Sequence, residues 1–195
     1  MSKKPIIVFE GIEGTGKSHH INNVAKYLKK KNIKFIKIRE PGGSKNSEKI
    51  RKIILSNKST FNNYTDLLLY LAARSENIEL IKKNIGKKII LIDRFSDSTI
   101  AYQHYGMNVN LKFIKNINDF LLKNINIDFT FLNIVNKKNM KNRLMKRKIL
   151  NRYDKFNSTF YDKVQKGFIK ILKKNPKKYM KVDSNLSIEY NEKII

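Results

Sequence analysis

The chain predicts an α/β fold, a parallel five-stranded sheet flanked by helices, and three observations carry that prediction. Five short runs, at 6–9, 34–38, 88–92, 129–134 and 179–182, are rich in β-branched or aromatic residues and apolar enough to be buried on both faces. Helical patterns at 18–31, 47–57, 64–85, 111–124, 137–147 and 159–174 alternate with them, and that alternation is the signature of parallel strands joined by helices. The first run also feeds directly into a glycine-rich loop that opens the first helical pattern.

In chain order, Ile6-Ile7-Val8-Phe9 forms the first strand and Gly11-Ile12-Glu13-Gly14-Thr15-Gly16-Lys17-Ser18 follows it. The spacing is G-x-x-x-x-G-K-[ST], a loop whose backbone N–H groups converge on a phosphate and whose helix adds the positive end of its dipole. Lys17 reaches toward the β- and γ-phosphates of a nucleotide, and Ser18 is the expected ligand of Mg²⁺. The second strand ends in Arg39-Glu40-Pro41-Gly42-Gly43, with Arg51 in the helix beyond. The long pattern at 64–85 places Leu67, Leu68, Leu71, Ile78 and Ile81 near helical spacing, which suits core packing. The third strand ends in Asp93-Arg94, followed by Ser98-Thr99 and Ala101-Tyr102-Gln103. Ligands of such folds bind at the carboxyl ends of the strands, and three strands here deliver charged or glycine-rich segments to that edge.

Between strands four and five lies a basic cluster, Arg143, Lys146, Arg147, Lys148 and Arg152. On a helix Arg143 and Arg147 share a face. The polar stretch 151–158 suits a lid, so 143–158 is expected to be a short arginine-rich lid over the nucleotide, its arginines catalytic and of little weight in stability.

At 195 residues the chain is expected to be one domain, 1–195. Its longest apolar runs fall far short of a membrane span, and its N-terminus lacks the apolar core of a secretory signal. With no Cys it offers neither a disulfide framework nor thiolate chemistry, which agrees with a cytoplasmic protein. The formal charge of +26 is spread along the chain among abundant Asn and Ile, so a general solvated basic surface is expected, not a dedicated nucleic-acid partner. Such a field would still draw in anionic nucleotides.

Taken together these segments resemble the thymidylate kinases (dTMP kinases) of bacterial type. The resemblance runs from the phosphate loop through Arg39-Glu40-Pro41-Gly42-Gly43, Tyr70-Leu71-Ala72-Ala73-Arg74, Asp93-Arg94-Phe95 and Ala101-Tyr102-Gln103 to Asn151-Arg152-Tyr153-Asp154, nearly the full chain in the family's order. It implies a P-loop NTPase fold and transfer of a phosphoryl group from ATP to dTMP, with Mg²⁺ as cofactor and a homodimer as the assembly. By the same resemblance Gly11, Ile12, Glu13, Gly14, Thr15, Gly16, Lys17 and Ser18 bind ATP. Arg39, Glu40, Arg51, Ser98 and Thr99 lie along the substrate. Glu13 meets the sugar 3′-hydroxyl, Tyr70 stacks on thymine, Arg74 bonds the base, Arg94 holds the acceptor phosphate and Tyr102 crowds the 2′ position. The lid arginines Arg143, Arg147 and Arg152 take the catalytic place that the loop positions Ile12, Glu13 and Thr15, none of them basic, leave open. Two departures stand out. His19 and His20 follow Ser18 where threonine is common and read as surface or helix-packing residues, and His104-Tyr105 leaves the shape after Gln103 open. Another nucleoside monophosphate kinase of this fold, or a basic nucleic-acid-associated P-loop ATPase, are the alternatives.

Overall fold

The computed structural model describes residues 4–195; Met1 to Lys3, part of the N-terminus that the sequence reads as non-secretory, lie outside the described residues. Five parallel strands, β1 (Ile6–Gly11), β2 (Phe35–Arg39), β3 (Ile89–Asp93), β4 (Phe129–Ile134) and β5 (Tyr179–Asp183), make one sheet in the order β2-β3-β1-β4-β5. The helices are α1 (Lys17–Lys30), α2 (Lys45–Leu55), α3 (Asn63–Asn84), α4 (Ser96–Thr99), α5 (Leu111–Leu121), α6 (Lys137–Met145), α7 (Ser158–Lys174) and α8 (Ile188–Ile194). A π-helical run, Ile100–Gly106, continues α4. Among the described residues no helix is long and apolar enough to cross a membrane.

The strands are apolar on both faces because helices cover both. On one side Phe9, Leu91, Phe131 and Val182 pack with Ile21 and Leu28 of α1. On the other, Ile6, Val8, Ile38, Ile90 and Ile92 pack with Ile78 and Ile81 of α3 and with Phe95 and Ile125. Each fully buried side chain of this size contributes about 1.5–3 kcal/mol, so the sheet centre fixes the strand order that the site depends on. Short polar side chains start the helices. Ser44, Asn62, Asn110, Asn136, Asn157 and Ser187 each accept a backbone N–H at an N-cap.

Several boundaries differ from the sequence expectation. α5 ends at Leu121, three residues early, and α6 ends at Met145, so Arg147 lies beyond the helix and does not share a face with Arg143. The segment after Gln103, open in the sequence, is the π-helical run, and α7 packs so closely on it that a Cβ on Gly167 would come within 2.5 Å of the Tyr105 ring. α4 had no sequence expectation. α8 lies against α1, where Glu192 takes the exposed His19 ring at 2.7 Å, while His20 is buried.

Candidate active site

β1 runs straight into the phosphate loop, and its register against β4 dictates the first glycine. Gly11 has φ +135°, and a Cβ there would stand 2.2 Å from the Asn133 carbonyl oxygen. No L side chain meets both conditions. The loop then folds over Lys17, whose Nζ donates to the Ile12 carbonyl at 2.7 Å and to Thr15 Oγ1 at 3.2 Å. Burial, and after it the Arg94 cation, push the Lys17 ammonium down to about 7 against the pull of Asp93, Glu13 and Glu10. Ser18 Oγ donates to Asp93 Oδ2 at 3.1 Å, so the helix start and the end of β3 set two hard oxygen ligands side by side.

The facing wall is built at the end of β3. Arg94 holds a left-handed backbone, φ +66°, unusual for a residue with a side chain and common where a site fixes geometry. Its Nη1 donates to the Gly11 carbonyl at 2.7 Å and its Nη2 to Glu13 Oε1 at 2.9 Å. The other Glu13 oxygen accepts the Tyr102 hydroxyl, and the Arg94 guanidinium lies 5.1 Å from the Tyr102 ring centre. Burial alone would raise the Glu13 carboxyl, but the Arg94 and Lys17 cations outweigh it and hold it below its ordinary value.

Behind this wall, Glu10 accepts the Phe95 and Ser98 backbone N–H groups at 2.8 and 3.2 Å and the Ser98 hydroxyl at 2.6 Å. It is fully buried beside Asp97, and burial first, then that neighbouring charge, push its carboxyl up to about 8. Glu10 therefore ties the end of β1 to α4 and sets where Ser98 and Arg94 stand. Sequence reasoning passed it by; the signal was a carboxylate at a strand position otherwise wholly apolar.

The same cleft gathers Glu13, Lys17, Ser18, Arg39, Glu40, Arg51, Tyr70, Arg74, Arg94, Ser98, Thr99, Tyr102 and Arg147 in its lining. Arg39 makes a two-pronged pair with Glu48, at 3.0 and 2.8 Å, and Arg51 donates to the Pro41 carbonyl. Arg74 is buried in the wall. Its Nε donates to Glu40 Oε2 at 2.8 Å, Nη1 to Asn118 Oδ1 at 2.7 Å and Nη2 to Thr99 Oγ1 at 2.9 Å. Nη2 also lies 2.8 Å from Glu40 Oε2, so four of the five N–H groups have acceptors within the protein and a ligand can take only the second N–H of Nη1. The Tyr70 ring meets the Tyr153 ring edge-on at 5.8 Å, and burial, then Asp66, raise its phenol.

The three lid arginines separate. Arg147 lines the cleft and pairs with the buried Asp154 carboxylate. Arg143 braces the phosphate loop, donating to the Gly14 carbonyl at 2.8 Å and the Ser184 carbonyl at 2.7 Å. Arg152 does not line the cleft. It pairs with the buried Asp66 and donates to the Ile54 carbonyl at 3.1 Å. Asp66 also accepts from the Tyr153 hydroxyl and, at 3.4 Å, from Gln103 Nε2. The expectation that the lid arginines carry little weight in stability is corrected for Arg152, which stands outside the cleft, is itself 16% exposed and pairs with a buried carboxylate. Asp66 was missed because an acid in the first turn of a helix is ordinarily a dipole partner.

The thymidylate kinase family model matches residues 9–195. A thymidylate kinase of Thermosipho africanus is 41% identical over 169 residues, covering 86% of this chain and 84% of that protein. One of Acholeplasma laidlawii is 37% identical over 193 residues, covering 97% and 95%. The crystal structure of a thymidylate kinase from Ehrlichia chaffeensis superposes with a TM-score of 0.79 at 29% identity, covering 99% of this chain and 96% of that one.

Proposed function

This chain belongs to the thymidylate kinase family, whose reaction is ATP-dependent phosphorylation of dTMP to dTDP, and on that premise we propose which of its residues carry the transfer. One observation carries the assignment. Arg94, the proposed acceptor-phosphate cation, is braced on Gly11 and Glu13 of the same loop that would cradle the donor triphosphate. Donor and acceptor phosphates would then be positioned by one rigid element, which suits an in-line displacement that depends on alignment.

On the donor side the N–H groups of residues 11–18 take the phosphates and Lys17 turns from the Ile12 carbonyl to the β- and γ-oxygens. Ser18 and Asp93, 3.1 Å apart, would hold Mg²⁺, which would supply positive charge against the phosphates. On the acceptor side Arg94 holds the monophosphate, Glu13 takes the 3′-hydroxyl and the Tyr102 ring fills the space of a 2′-hydroxyl. Tyr70 stacks on the base; Thr99 and the free N–H of Arg74 meet its edge, with Arg39, Glu40, Arg51 and Ser98 shaping the surrounding wall. Arg147, from the lid 143–158, stabilises charge on the moving phosphoryl group. Arg143 acts through the loop it braces. The acceptor needs no strong base, because a phosphate monoester is already a dianion near neutral pH, its second pKa being about 6.

The reading treats 1–195 as one kinase domain in the cytoplasm, in keeping with a chain that has no Cys. It also pairs the chain as a homodimer. The support is an exposed apolar patch on α3 and α5, where Tyr64 and Leu68 stand half-exposed and Tyr64 meets Phe113 edge-on at 5.9 Å. Sedimentation that reads a monomer at every concentration would remove the dimer.

The kinase roles are tested first at Lys17. Lys17→Ala should lower kcat by roughly 10²–10³, the worth of about 3–4 kcal/mol for a charge contact in a water-excluded transition state. A folded Lys17→Ala protein with full turnover would sink the donor-site assignment.

A further inference from the structure

The sequence scatters its lysines along the chain, but the fold collects many of them. In a parallel sheet the helix-to-strand turns emerge at the amino edge of the strands, opposite the phosphate loop. Three such turns, 29–34 (KKKNIK), 82–88 (KKNIGKK) and 173–178 (KKNPKK), hold twelve lysines and no carboxylate in nineteen residues. All of these lysines but Lys88 are exposed. The turns are knitted into one face. The Ile89 N–H donates to the Lys34 carbonyl at 3.0 Å, the Ile90 N–H to the Pro5 carbonyl at 3.0 Å and Lys178 Nζ to the Ile127 carbonyl at 3.2 Å. Since β2 and β5 are the outer strands, the lysines span the sheet's full width, four strand spacings or about 19 Å.

Helix ends do not demand this much charge. A helix C-terminus offers about half a negative charge and rewards a cation in its last turn. Lys34, Lys87, Lys177 and Lys178 lie past those turns, and crowding like charges opposes folding. Lys82 pairs with Glu79 at 3.3 Å, and Asp128 adds one carboxylate to this edge, where it accepts the Ile6 N–H at 2.9 Å. Two aromatic rings flank the lysines. Tyr27 is 59% exposed with Lys31 Nζ 5.9 Å from its centre, and Phe120, at the end of α5, is 79% exposed.

We propose that this edge binds a single-stranded polynucleotide, RNA or DNA, through its phosphates and without sequence preference, with Tyr27 and Phe120 as stacking platforms for bases. Lysines that track a backbone beside exposed rings are the chemistry of single-strand binding. A lipid surface fits less well, because among the described residues the exposed large apolar side chains at this edge are these two rings. The face is opposite the kinase cleft, so both sites can be filled together.

The test is anisotropy of labelled oligo(U) and oligo(dT) of about twenty nucleotides, against a duplex of equal length and vesicles of phosphatidylcholine with phosphatidylserine. An edge variant carries Lys30, Lys34, Lys83, Lys87, Lys174 and Lys177→Gln. A control of equal charge carries Lys49, Lys52, Lys138, Lys141, Lys163 and Lys166→Gln. The wild type should bind either single strand in a salt-dependent way. The edge variant should lose at least about tenfold in affinity near 0.1 M salt, and its plot of log K against log salt should flatten by about 4, at roughly 0.7 per lost contact. The control should lose less than about threefold, both variants should keep dTMP turnover, and saturating oligo(U) should leave that turnover unchanged. The proposal falls if the control loses as much as the edge variant, if duplex or vesicles bind more tightly than the single strands, or if no salt-dependent binding is seen.

Discussion

Arg147 and Arg152 lie in one basic stretch, yet the side chains they meet give them different work. Arg147 reaches the cleft and is 40% exposed, so its pair with the buried Asp154 is partly screened by solvent, and Asp154 keeps the Asn151 backbone and side-chain N–H donors when Arg147 is removed. Arg152→Ala would leave the Asp66 carboxylate, 2% exposed, without its cation. Breaking such a buried pair costs about 3 kcal/mol or more, which for a chain of this size is roughly 6–12 °C in Tm. Arg147→Ala should therefore lower kcat more than about tenfold with a smaller loss of Tm than Arg152→Ala, which should chiefly lower Tm. Melting curves beside initial rates separate the two, and an Arg147→Ala enzyme with normal turnover would place the lid charge elsewhere. The arginines could be read from the sequence as a cluster. Their division of labour could not, because it depends on Asp66 and Asp154 being buried.

At the scale of elements, the site rests on how β1 is pinned to α4, and Glu10 is the pin. Its carboxyl is pushed up to about 8 from an ordinary 4.5, so the folded state holds a proton that the unfolded chain releases. Stability from this group is therefore lost as pH rises from about 4.5 through 8, by at most about 1.4 kcal/mol per pH unit. Lys17 works in another window: its lowered value makes stability rise with pH between about 7 and 10.5. Between pH 5 and 7 the buried carboxyls of Glu40 and Asp97, raised by burial, act in the same direction as Glu10, and His20, lowered by burial, acts against them, so the Glu10 share is read as the difference between the variant and wild type. Glu10→Gln should flatten the fall of Tm across that interval relative to wild type; parallel Tm profiles would show that Glu10 is charged throughout. The strands and most helices were legible because buried parallel strands and amphipathic helices differ in period. The π-helical run was not, since its shape comes from packing against α7 at Gly167, a contact between segments far apart in sequence.

Across the whole molecule, the phosphate loop, Arg94 and Tyr102 could be placed from the sequence because each follows a strand and a parallel sheet aligns strand ends. Less could be foreseen of the interior wall, where Glu40, Asn118 and Thr99 converge on Arg74 from separate elements. That convergence bears on substrate choice. On the proposed roles Arg74, with its other donors engaged, would present a fixed N–H toward the base, and a cytosine amino group facing it would leave a donor unpaired at about 1–3 kcal/mol. Tyr102 is anchored through its hydroxyl to Glu13, and on the proposed roles its held ring would block the 2′ position. The most direct measurement is a coupled ATP-dependent assay of the purified protein across dTMP, dUMP, UMP and dCMP, repeated with Tyr102→Ala. The account predicts the highest kcat/KM for dTMP, with the bias against ribose narrowed in the variant. Higher kcat/KM for dCMP or UMP than for dTMP in the wild-type protein would contradict it.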